Sequence, residues 1–360
     1  MRTRGKLLAA GAPAIALALG TLSAVGIAGP TFAAAPTKKL AAVSVVTNGA
    51  QAQAKASFDW TDAMMAAAKP MDTVKVKGTG QPGPAPAIRA GTTPGAIAGS
   101  AGAAGSAAVA KAAASVAPFT VAPQSGGFTY PTPFTRYEVE PQVRQVWPYT
   151  TIGKLYFTQN GGNYVCSASA IGPHSIWTAG HCSSDGAGHF STNVVFVPGL
   201  RDTNKPFGKF SCNALWTTSA WHFSGDLQYD YAGASCGLNA KGQDFAASTG
   251  WLGFAWNWGY GLHYDDFGYP AAAPFNGVRM QRCESSFGHA DTRVTGLQEQ
   301  AIGCDMTGGS SGGPWIWQFG TGNYVNGENS YKYVSPAEPL EMYSPYYGDL
   351  AKAVFDAATA

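Results

Sequence analysis

Apolar and polar residues alternate in short runs over the C-terminal two-thirds of the chain. The clearest runs are rich in β-branched and aromatic residues: Ile152–Phe157, Tyr164–Ile171, Ser175–Thr178 and Asn193–Pro198. Clusters of Gly, Asn, Ser and Pro separate these runs, as in residues 160–163 and 172–173. Short strands at roughly ten-residue spacing, with turns between them, are typical of a β-sandwich or a β-barrel.

The clearest helical pattern lies at the C-terminus. Ser344 and Pro345 predict a helix start, and Leu350, Val354 and Ala357 then fall on one helical face. The chain from residue 126 onward is therefore predicted to be all-β with a C-terminal α-helix.

The first 35 residues have a pattern of their own. Three positive charges in Met1–Lys6 precede an apolar run from Leu7 to Gly29, and small residues follow at Ala33–Ala35. This arrangement predicts a secretory signal peptide over residues 1–35. An uncleaved membrane anchor is the alternative, although Gly and Pro within the run disfavour it.

Residues 36–125 predict a pro-segment followed by a linker. The stretch Ala52–Ala68 is compatible with a helix whose apolar residues include Trp60 and the pair Met64-Met65. Over residues 81–120, Ala, Gly and Pro fill 26 of the 40 positions, so few apolar side chains offset the backbone entropy of folding. We expect this segment to be largely disordered and removable by proteolysis, with a permanent flexible tether as the alternative.

Charge is distributed unevenly along the chain. Residues 1–125 hold 11 Lys or Arg and 3 Asp or Glu, whereas residues 126–360 hold 12 and 18. An acidic domain argues against nucleic acid as a partner, because phosphate binding needs clustered basic residues. Residues 126–360 also hold all six cysteines and nine of the ten tryptophans, so this domain can bury a core. We expect it to be a monomer without a stable membrane association.

The six cysteines are expected to form disulfides, because export permits them. The sequence contains no C-x-x-C pair and no H-x-x-x-H pair, so a zinc site is not expected. Pairing between neighbours along the chain is the simplest of the many possible arrangements: Cys166–Cys182, Cys212–Cys236 and Cys283–Cys304. The first bridge would join the strand at Cys166 to the segment that follows Cys182.

Two segments carry candidate chemistry. His181 ends an apolar run beside Cys182, which would hold it on a rigid scaffold as a general base requires. Ser310 and Ser311 lie in a glycine-rich turn, residues 308–314, where backbone N–H groups can point at a substrate carbonyl. An ordinary strand-end histidine and a flexible Gly/Ser loop are the alternatives for the two segments taken singly.

Chain order decides which kind of nucleophile the turn can carry. Residues 309–313 match G-x-S-x-G, but an α/β-hydrolase needs its histidine after the serine, and the last histidine is His289. The base must therefore precede the nucleophile, in the order His, Asp, Ser. Candidate carboxylates between them include Asp202, Asp226, Asp230, Asp244, Asp265 and Asp266. Asp230 is favoured because the aromatic residues on either side of it can bury it.

These segments resemble the trypsin-like (chymotrypsin-fold) serine endopeptidases. The resemblance rests on T-A-G-H-C at 178–182, D-Y-A at 230–232 and G-S-S-G-G-P at 309–314, and it covers residues 145–357. Within that family the chain is most similar to the bacterial V8-like, or glutamyl endopeptidase, branch. Gly268-Tyr269-Pro270, Glu284-Ser285 and the double glycine before the nucleophile carry this second resemblance.

The resemblance implies a double β-barrel with the site at the seam of the barrels and a C-terminal helix. It implies Ser311 as nucleophile, His181 as general base and Asp230 as the carboxylate that orients His181. The implied oxyanion hole consists of the backbone N–H groups of Gly309 and Ser311. No cofactor or metal is implied, and proteins or peptides are the implied substrates.

The sequence departs from the family pattern around the specificity pocket. Ser310 stands where trypsin-like animal enzymes carry Asp, so activation must differ from the animal zymogen mechanism. Asn329 stands where glutamyl-specific members carry a histidine, and Asp305 has the spacing of the trypsin pocket carboxylate. Asp305, Asn329 and Ser330 are the candidate substrate-binding residues. The sequence leaves open whether Lys or Arg, Glu, or a broad set of residues is preferred at P1, the substrate position before the cut bond.

The sequence as a whole predicts a secreted serine endopeptidase made with a signal peptide over 1–35, a pro-segment and linker over 36–125, and a peptidase domain over 126–360. Two rival functions share the same fold. One is a catalytically inactive, secreted protease-like binding protein, because fold does not fix function. The other is a secreted esterase that uses the same three residues.

Overall fold

The structure is a computed structural model that describes residues 44–48, 60–72, 74–77, 92–103, 131–293, 299–335 and 337–360. All of these belong to one structural unit, Ala42–Ala360. The predicted signal peptide, residues 1–35, lies outside the described residues. Within the described part, no helix is long and apolar enough to cross a membrane.

Strands make up most of the described chain. In chain order they are β1 (Val45–Thr47), β2 (Lys69–Pro70), β3 (Val74–Lys77), β4 (Gly95–Ile97), β5 (Phe134–Glu138), β6 (Ile152–Gln159), β7 (Gly162–Gly172), β8 (Ser175–Thr178), β9 (Thr192–Pro198), β10 (Phe210–Thr218), β11 (Ala232–Cys236), β12 (Gly253–Trp256), β13 (His263–Gly268), β14 (Gln281–Ala290), β15 (Gln300–Gly303), β16 (Pro314–Trp317), β17 (Tyr324–Glu328), β18 (Tyr331–Ser335) and β19 (Glu341–Ser344). The helices are α1 (Asp62–Ala67), α2 (Gly180–Ser183), α3 (Ser219–Ser224), α4 (Phe245–Ser248) and α5 (Asp349–Thr359).

The first sheet closes on itself. Its antiparallel neighbours run in the order β10, β11, β8, β7, β6, β9, and β9 returns to pair with β10. The result is a six-stranded barrel, which leaves no unpaired edge among these strands. Its interior is filled by alternate side chains of the strands, including Leu155, Phe157, Phe196 and Leu215.

The second sheet follows the order β18, β19, β15, β14, β13, β16, β17, β12, and β5 pairs with β14 on the side. Its core holds large side chains, among them Tyr264, Trp315 and Met342. Two strand-built bodies and a C-terminal helix make the chymotrypsin-like double barrel that the resemblance implied, so the predicted fold class is confirmed.

The C-terminal helix begins later than predicted. Residues 341–344 form β19, so α5 starts at Asp349, after Gly348. Its buried face consists of Ala351, Val354, Phe355 and Ala358. The predicted face shared only Val354 with this set, because the helix packs through Ala351 and Phe355, on the neighbouring side, rather than through Leu350 and Ala357.

Segments before residue 126 add strands to both sheets. Antiparallel pairing joins β1 to β10 and β4 to β12, whereas β2 with β7 and β3 with β18 pair in parallel. Of the predicted helix over Ala52–Ala68, residues 52–59 lie outside the described residues; α1 lies within the remainder, and Trp60 just before it is buried. The N-terminal segments therefore pack on the double barrel at several places.

The predicted disorder over residues 81–120 is wrong for residues 92–103. A Cβ on Gly95 or Gly99 would collide with Trp256 or with the backbone around Trp251, so small residues allow this segment to lie close to the second sheet. Backbone hydrogen bonds to β12 and to Trp251 then hold it. The composition that suggested disorder here permits close backbone pairing instead.

The three disulfides join neighbours along the chain, as predicted. Cys166–Cys182 links β7 to α2, Cys212–Cys236 links β10 to β11, and Cys283–Cys304 links β14 to the segment after β15. All six cysteines are paired. The first of these bridges lies directly beside His181.

Candidate active site

His181 and Asp230 are brought together by two neighbouring strands of the first barrel. His181 lies in α2, directly after β8, and Asp230 lies directly before β11, which pairs with β8. The Nδ1 atom of His181 is 2.8 Å from Oδ2 of Asp230, and the backbone N–H of His181 donates to Oδ1 at 2.7 Å. Both residues are buried, so the contact is shielded from water.

A third donor reaches the same carboxylate from the second barrel. The Oγ atom of Ser330 donates to Oδ2 of Asp230 at 2.5 Å. A buried carboxylate needs such partners, because an unpaired charge inside a protein is costly. Ser330 is also a predicted substrate-binding residue. The contact of its side chain with Asp230, 100 positions away, could not be predicted from the sequence.

Close packing fixes the His181 ring. Trp221 of α3 lies edge-on to the imidazole, with ring centroids 6.2 Å apart. A Cβ on Gly180 would lie 2.8 Å from the Trp221 ring and 2.9 Å from Oδ1 of Asp230. Only glycine leaves room for both contacts at the start of this short helix.

Ser311 lies where the two barrels meet. The backbone N–H of Ser167, on β7, donates to the carbonyl of Ser311 at 2.8 Å. On the other side, Gly312 N–H donates to Asn329 O at 2.8 Å, and Asn329 N–H donates to Gly313 O at 3.0 Å. The turn is thus held by one strand of the first barrel and by the loop between β17 and β18 of the second sheet.

Glycine is required within this turn. Gly312 has φ of +77°, and a Cβ there would collide with Thr178, Ala179 and Ser167. Gly309 has φ of +95°, a conformation that side chains disfavour. The Oγ atom of Ser167 donates to Gly309 O at 2.9 Å and accepts from Tyr269 N–H at 2.8 Å, which fixes the orientation of the Gly309 peptide.

The two reactive atoms are buried. Ser311 is 0% exposed, and neither its Oγ nor Nε2 of His181 has a hydrogen-bond partner among the described residues. Catalytic hydrogen bonds are often long or misaligned before substrate binds, so this geometry leaves both atoms as candidates for proton transfer. The backbone N–H of Gly309, a predicted oxyanion-hole donor, donates to the carbonyl of Met71 at 2.9 Å.

The other candidate carboxylates have different roles. Asp202 and Asp265 pair with Arg279 and Arg282, Asp226 and Asp244 cap helical turns, and Asp266 accepts from Asn329. Asp230 is the candidate that lies against His181, which is the pairing suggested from the flanking aromatic residues.

The predicted pocket residues already have partners within the protein. Asp305 forms an ion pair with Arg136 of β5 at 2.6 Å. The Asn329 carboxamide donates to Oδ1 of Asp266 at 2.8 Å and accepts from Nε1 of Trp315 at 3.0 Å. Burial raises the pKa of Asp266 well above its ordinary value.

Lys332 reaches the same region. Its ammonium donates to the backbone carbonyls of Cys304 at 2.7 Å and Pro339 at 2.8 Å. Burial lowers the pKa of Lys332 to about 8, against the opposing attraction of Asp266, Asp305 and Glu341.

The ion pair between Asp305 and Arg136 could not be predicted from the sequence, because it depends on the register of β5 against β14.

The described residues offer a poor donor set for a metal. The two groups of close His, Cys and Asp side chains each contain a pair of cysteines, Cys166 with Cys182 and Cys283 with Cys304. Both pairs are disulfides, so their sulfurs are not thiolate ligands.

Two solved structures resemble this chain closely. Protease Anisep from Arthrobacter nicotinovorans is 38% identical, with 58% of this chain and 95% of that chain covered and a TM-score of 0.55. The thermostable serine protease AL20 from an extremophilic microorganism is 36% identical, with 58% and 97% covered and a TM-score of 0.54. No protein-family model matches the chain.

Two curated proteins match a shorter stretch. The glutamyl endopeptidase of Bacillus licheniformis is 28% identical over 111 residues, which is 31% of this chain and 32% of that protein. The extracellular metalloprotease of Bacillus subtilis is 24% identical over 110 residues, which is 30% of this chain and 34% of that protein. The matched stretch thus spans about a third of the length of each curated relative.

The identity to Anisep and AL20 extends over nearly the whole of both solved proteases, and the double-barrel fold agrees with it. The chain belongs to the trypsin-like serine endopeptidases, in their bacterial V8-like branch.

Proposed function

We propose that the protein is a secreted serine endopeptidase that cuts proteins or peptides with Ser311, His181 and Asp230. The observation that carries the proposal is the buried contact between His181 and Asp230, beside a glycine-rich turn that holds Ser311 at the barrel seam. Each of the three residues lies on a different segment, so only the folded chain brings them to one place.

In the proposed reaction, Oγ of Ser311 attacks the carbonyl carbon of the scissile bond while Nε2 of His181 takes its proton. The oxyanion that forms accepts hydrogen bonds from the backbone N–H groups of Gly309 and Ser311. His181 then gives the proton to the leaving amine, and an acyl-enzyme on Ser311 remains. Water, activated by the same histidine, releases the acid and restores the serine.

Asp230 supports this proton transfer without touching the substrate. Its carboxylate faces Nδ1 of His181, so Nδ1 carries the hydrogen and Nε2 is free to act as the base. The same carboxylate stabilises the imidazolium that forms during attack. Ser330 acts as a positioning residue, since it holds the carboxylate from the opposite side.

We propose that substrates with Lys or Arg at P1 are cut poorly. Asp305 already pairs with Arg136, and the ammonium of Lys332 lies close by. A basic P1 side chain would have to displace one cation and approach another, and like charges in a partly buried site repel each other. An uncharged or acidic P1 residue meets no such obstacle.

The chain organisation is part of the proposal. A signal peptide over residues 1–35 would direct export, and the pro-segment and linker over 36–125 would precede the peptidase domain over 126–360. Extracellular action on protein substrates, as a monomer that needs no cofactor, fits the disulfides and the acidic domain.

The test compares the parent with Ser311→Ala. Both are first digested briefly with thermolysin, which is then stopped by chelation, to release the N-terminal segments. They are next incubated with a mixture of denatured proteins, and new termini are identified by mass spectrometry. We expect cuts by the parent, with few after Lys or Arg, and a loss on the order of 10⁶ in kcat for Ser311→Ala.

Three outcomes would overturn parts of this proposal. Equal cutting by parent and variant would remove Ser311 as the nucleophile. No cutting by either protein, with the fold intact, would favour the inactive protease-like binding protein. Cuts that cluster after Lys or Arg would place a free Asp305 in the pocket and contradict the proposed P1 preference alone.

A further inference from the structure

We propose that two pieces of the N-terminal segment, Lys69–Asp72 and Val74–Lys77, form an inhibitory strap across the substrate cleft. The inference rests on the proposed function and adds its regulation. The strap contacts the turn that carries Ser311, pairs with strands that lead to the segments of His181 and Ser330, and takes up one of the two proposed oxyanion donors.

The first piece lies along the first barrel. Lys69 and Pro70 pair in parallel with Tyr164 and Val165 of β7, and the backbone N–H of Met71 donates to Val165 O at 2.9 Å. The Met71 side chain packs against the apolar cluster that contains the Cys166–Cys182 disulfide. Val165 precedes Cys166, whose disulfide partner Cys182 follows His181, so this piece of the strap covers the strand that is bridged to the segment of the proposed base.

The centre of the strap faces the serine turn. The carbonyl of Met71 accepts a hydrogen bond from Gly309 N–H at 2.9 Å. A Cβ on Gly308 would lie 3.0 Å from the Met71 carbonyl oxygen and 3.2 Å from Cα of Asp72. The lack of a side chain at Gly308 therefore lets the strap backbone approach the turn closely.

The second piece lies along the second sheet. Val74–Lys77 pairs in parallel with Tyr331–Ser335, beginning with Val74 opposite Tyr331. The Val74 side chain packs against a cluster of Tyr331, Tyr333 and Tyr343, as does Leu227. Tyr331 directly follows Ser330, which binds Asp230, so this end of the strap lies next to the proposed triad.

The strap and a substrate would compete for the same groups. An extended peptide binds a strand edge through backbone hydrogen bonds, and the edge of β18 is taken by β3. The oxyanion needs Gly309 N–H, which already donates to Met71. With the strap in place, Ser311 is 0% exposed, so a scissile carbonyl has no route to its Oγ.

The strap is anchored at its N-terminal end. Trp60 is 1% exposed, and its Nε1 donates to Asn193 O at 2.6 Å. Met65 of α1 is buried in the core, and Asp62 pairs with Lys205 at 2.8 Å. This tether keeps the strap at a high effective concentration near the cleft until the chain is cut.

The test places a charge under the strap in the full chain. Val74→Asp puts a carboxylate against the tyrosine cluster, and Ile97→Asp introduces the same charge in β4, at the opposite end of the second sheet from β3. We expect the initial rate on a short peptide substrate to rise about tenfold or more with Val74→Asp. The Ile97→Asp control should match the parent.

A second readout does not depend on catalysis. In a Ser311→Ala background, hydrogen exchange of the peptide that contains Gly309 should be slow, and Val74→Asp should speed it about tenfold or more. A further variant, Met71→Pro, removes the N–H that binds Val165 and should act in the same direction, whatever the folding yield of Val74→Asp.

The two readouts separate the inference from the proposed function. Faster hydrogen exchange at Gly309 in the strap variants, without peptide hydrolysis by any variant, would support the strap and overturn the proposed protease activity. A parent that hydrolyses the peptide from the first seconds, at a rate that neither strap variant changes, would keep the protease and overturn the strap. Unchanged exchange in both strap variants would overturn the strap as well.

Discussion

Replacing Asp230 by Asn tests the arrangement around His181 most sharply. Three donors face the carboxylate: the backbone N–H of His181 at 2.7 Å, Nδ1 of His181 at 2.8 Å and Oγ of Ser330 at 2.5 Å. The backbone N–H cannot rotate, so the amide of the variant must turn its oxygen toward that group. Its NH₂ then faces Nδ1 of His181, which becomes an acceptor.

This rearrangement puts the proton on the wrong nitrogen. If Nδ1 accepts, Nε2 carries the hydrogen and is no longer a base toward Ser311. We expect Asp230→Asn to lower kcat by about 10⁴, the loss found for this change in a Ser-His-Asp triad. That factor corresponds to about 5 kcal/mol of transition-state stabilisation. KM should change little, because Asp230 is 0% exposed and does not meet the substrate.

Ser330→Ala provides a graded comparison. It removes one donor from the carboxylate but leaves the His181 tautomer intact, so we expect a loss of about 10- to 100-fold in kcat, equivalent to 1.5–3 kcal/mol. The assay measures kcat and KM on a peptide substrate, with thermal unfolding as a check on the fold. A folded Asp230→Asn protein with kcat within tenfold of the parent would refute the reasoning.

Three further predictions concern stability. Ser167→Ala leaves Tyr269 N–H without its acceptor and should lower the free energy of unfolding in urea by about 1–3 kcal/mol; an unchanged midpoint would contradict this. Replacing both Cys166 and Cys182 by Ser should lower the free energy of unfolding by about 3 kcal/mol in the same assay, because it opens a loop of 16 residues. A loss below about 0.5 kcal/mol would argue against a stabilising role for this disulfide. Burial raises the pKa of Glu299 from 4.5 to about 9, so the native state binds more protons than the unfolded state between these values, and stability falls as pH rises through this range. The Glu299→Gln variant should therefore have a higher melting temperature than the parent at pH 8 but not at pH 4. Equal melting temperatures of variant and parent at both pH values would contradict the raised pKa of Glu299.

The sequence was most informative where chemistry and spacing coincided. His181 beside a cysteine, a glycine-rich turn around Ser311 and their order along the chain restricted the possible chemistry to one arrangement, and the structure places His181 against Asp230. The short runs likewise predicted the strands of the first barrel, because β-branched and aromatic residues bounded by turn residues are typical of strands.

The sequence was least informative where backbone atoms make the contact. The pairing of β4 with β12 depends on a free strand edge and on small residues, which leave no hydrophobic period, and the V-K-V-K alternation of β3 does not indicate which strand edge it joins. The roles of Ser330 and Asp305 depend on the register of distant strands, so their partners became clear only in the folded chain.

The central claim is that Ser311 is a nucleophile activated by His181. Its most direct test is labelling with a fluorophosphonate probe after thermolysin has released the N-terminal segments, followed by mass spectrometry of the labelled peptide. The account predicts one adduct, on Ser311, that disappears in His181→Ala. An adduct on another serine, or labelling of Ser311 that survives the loss of His181, would contradict it.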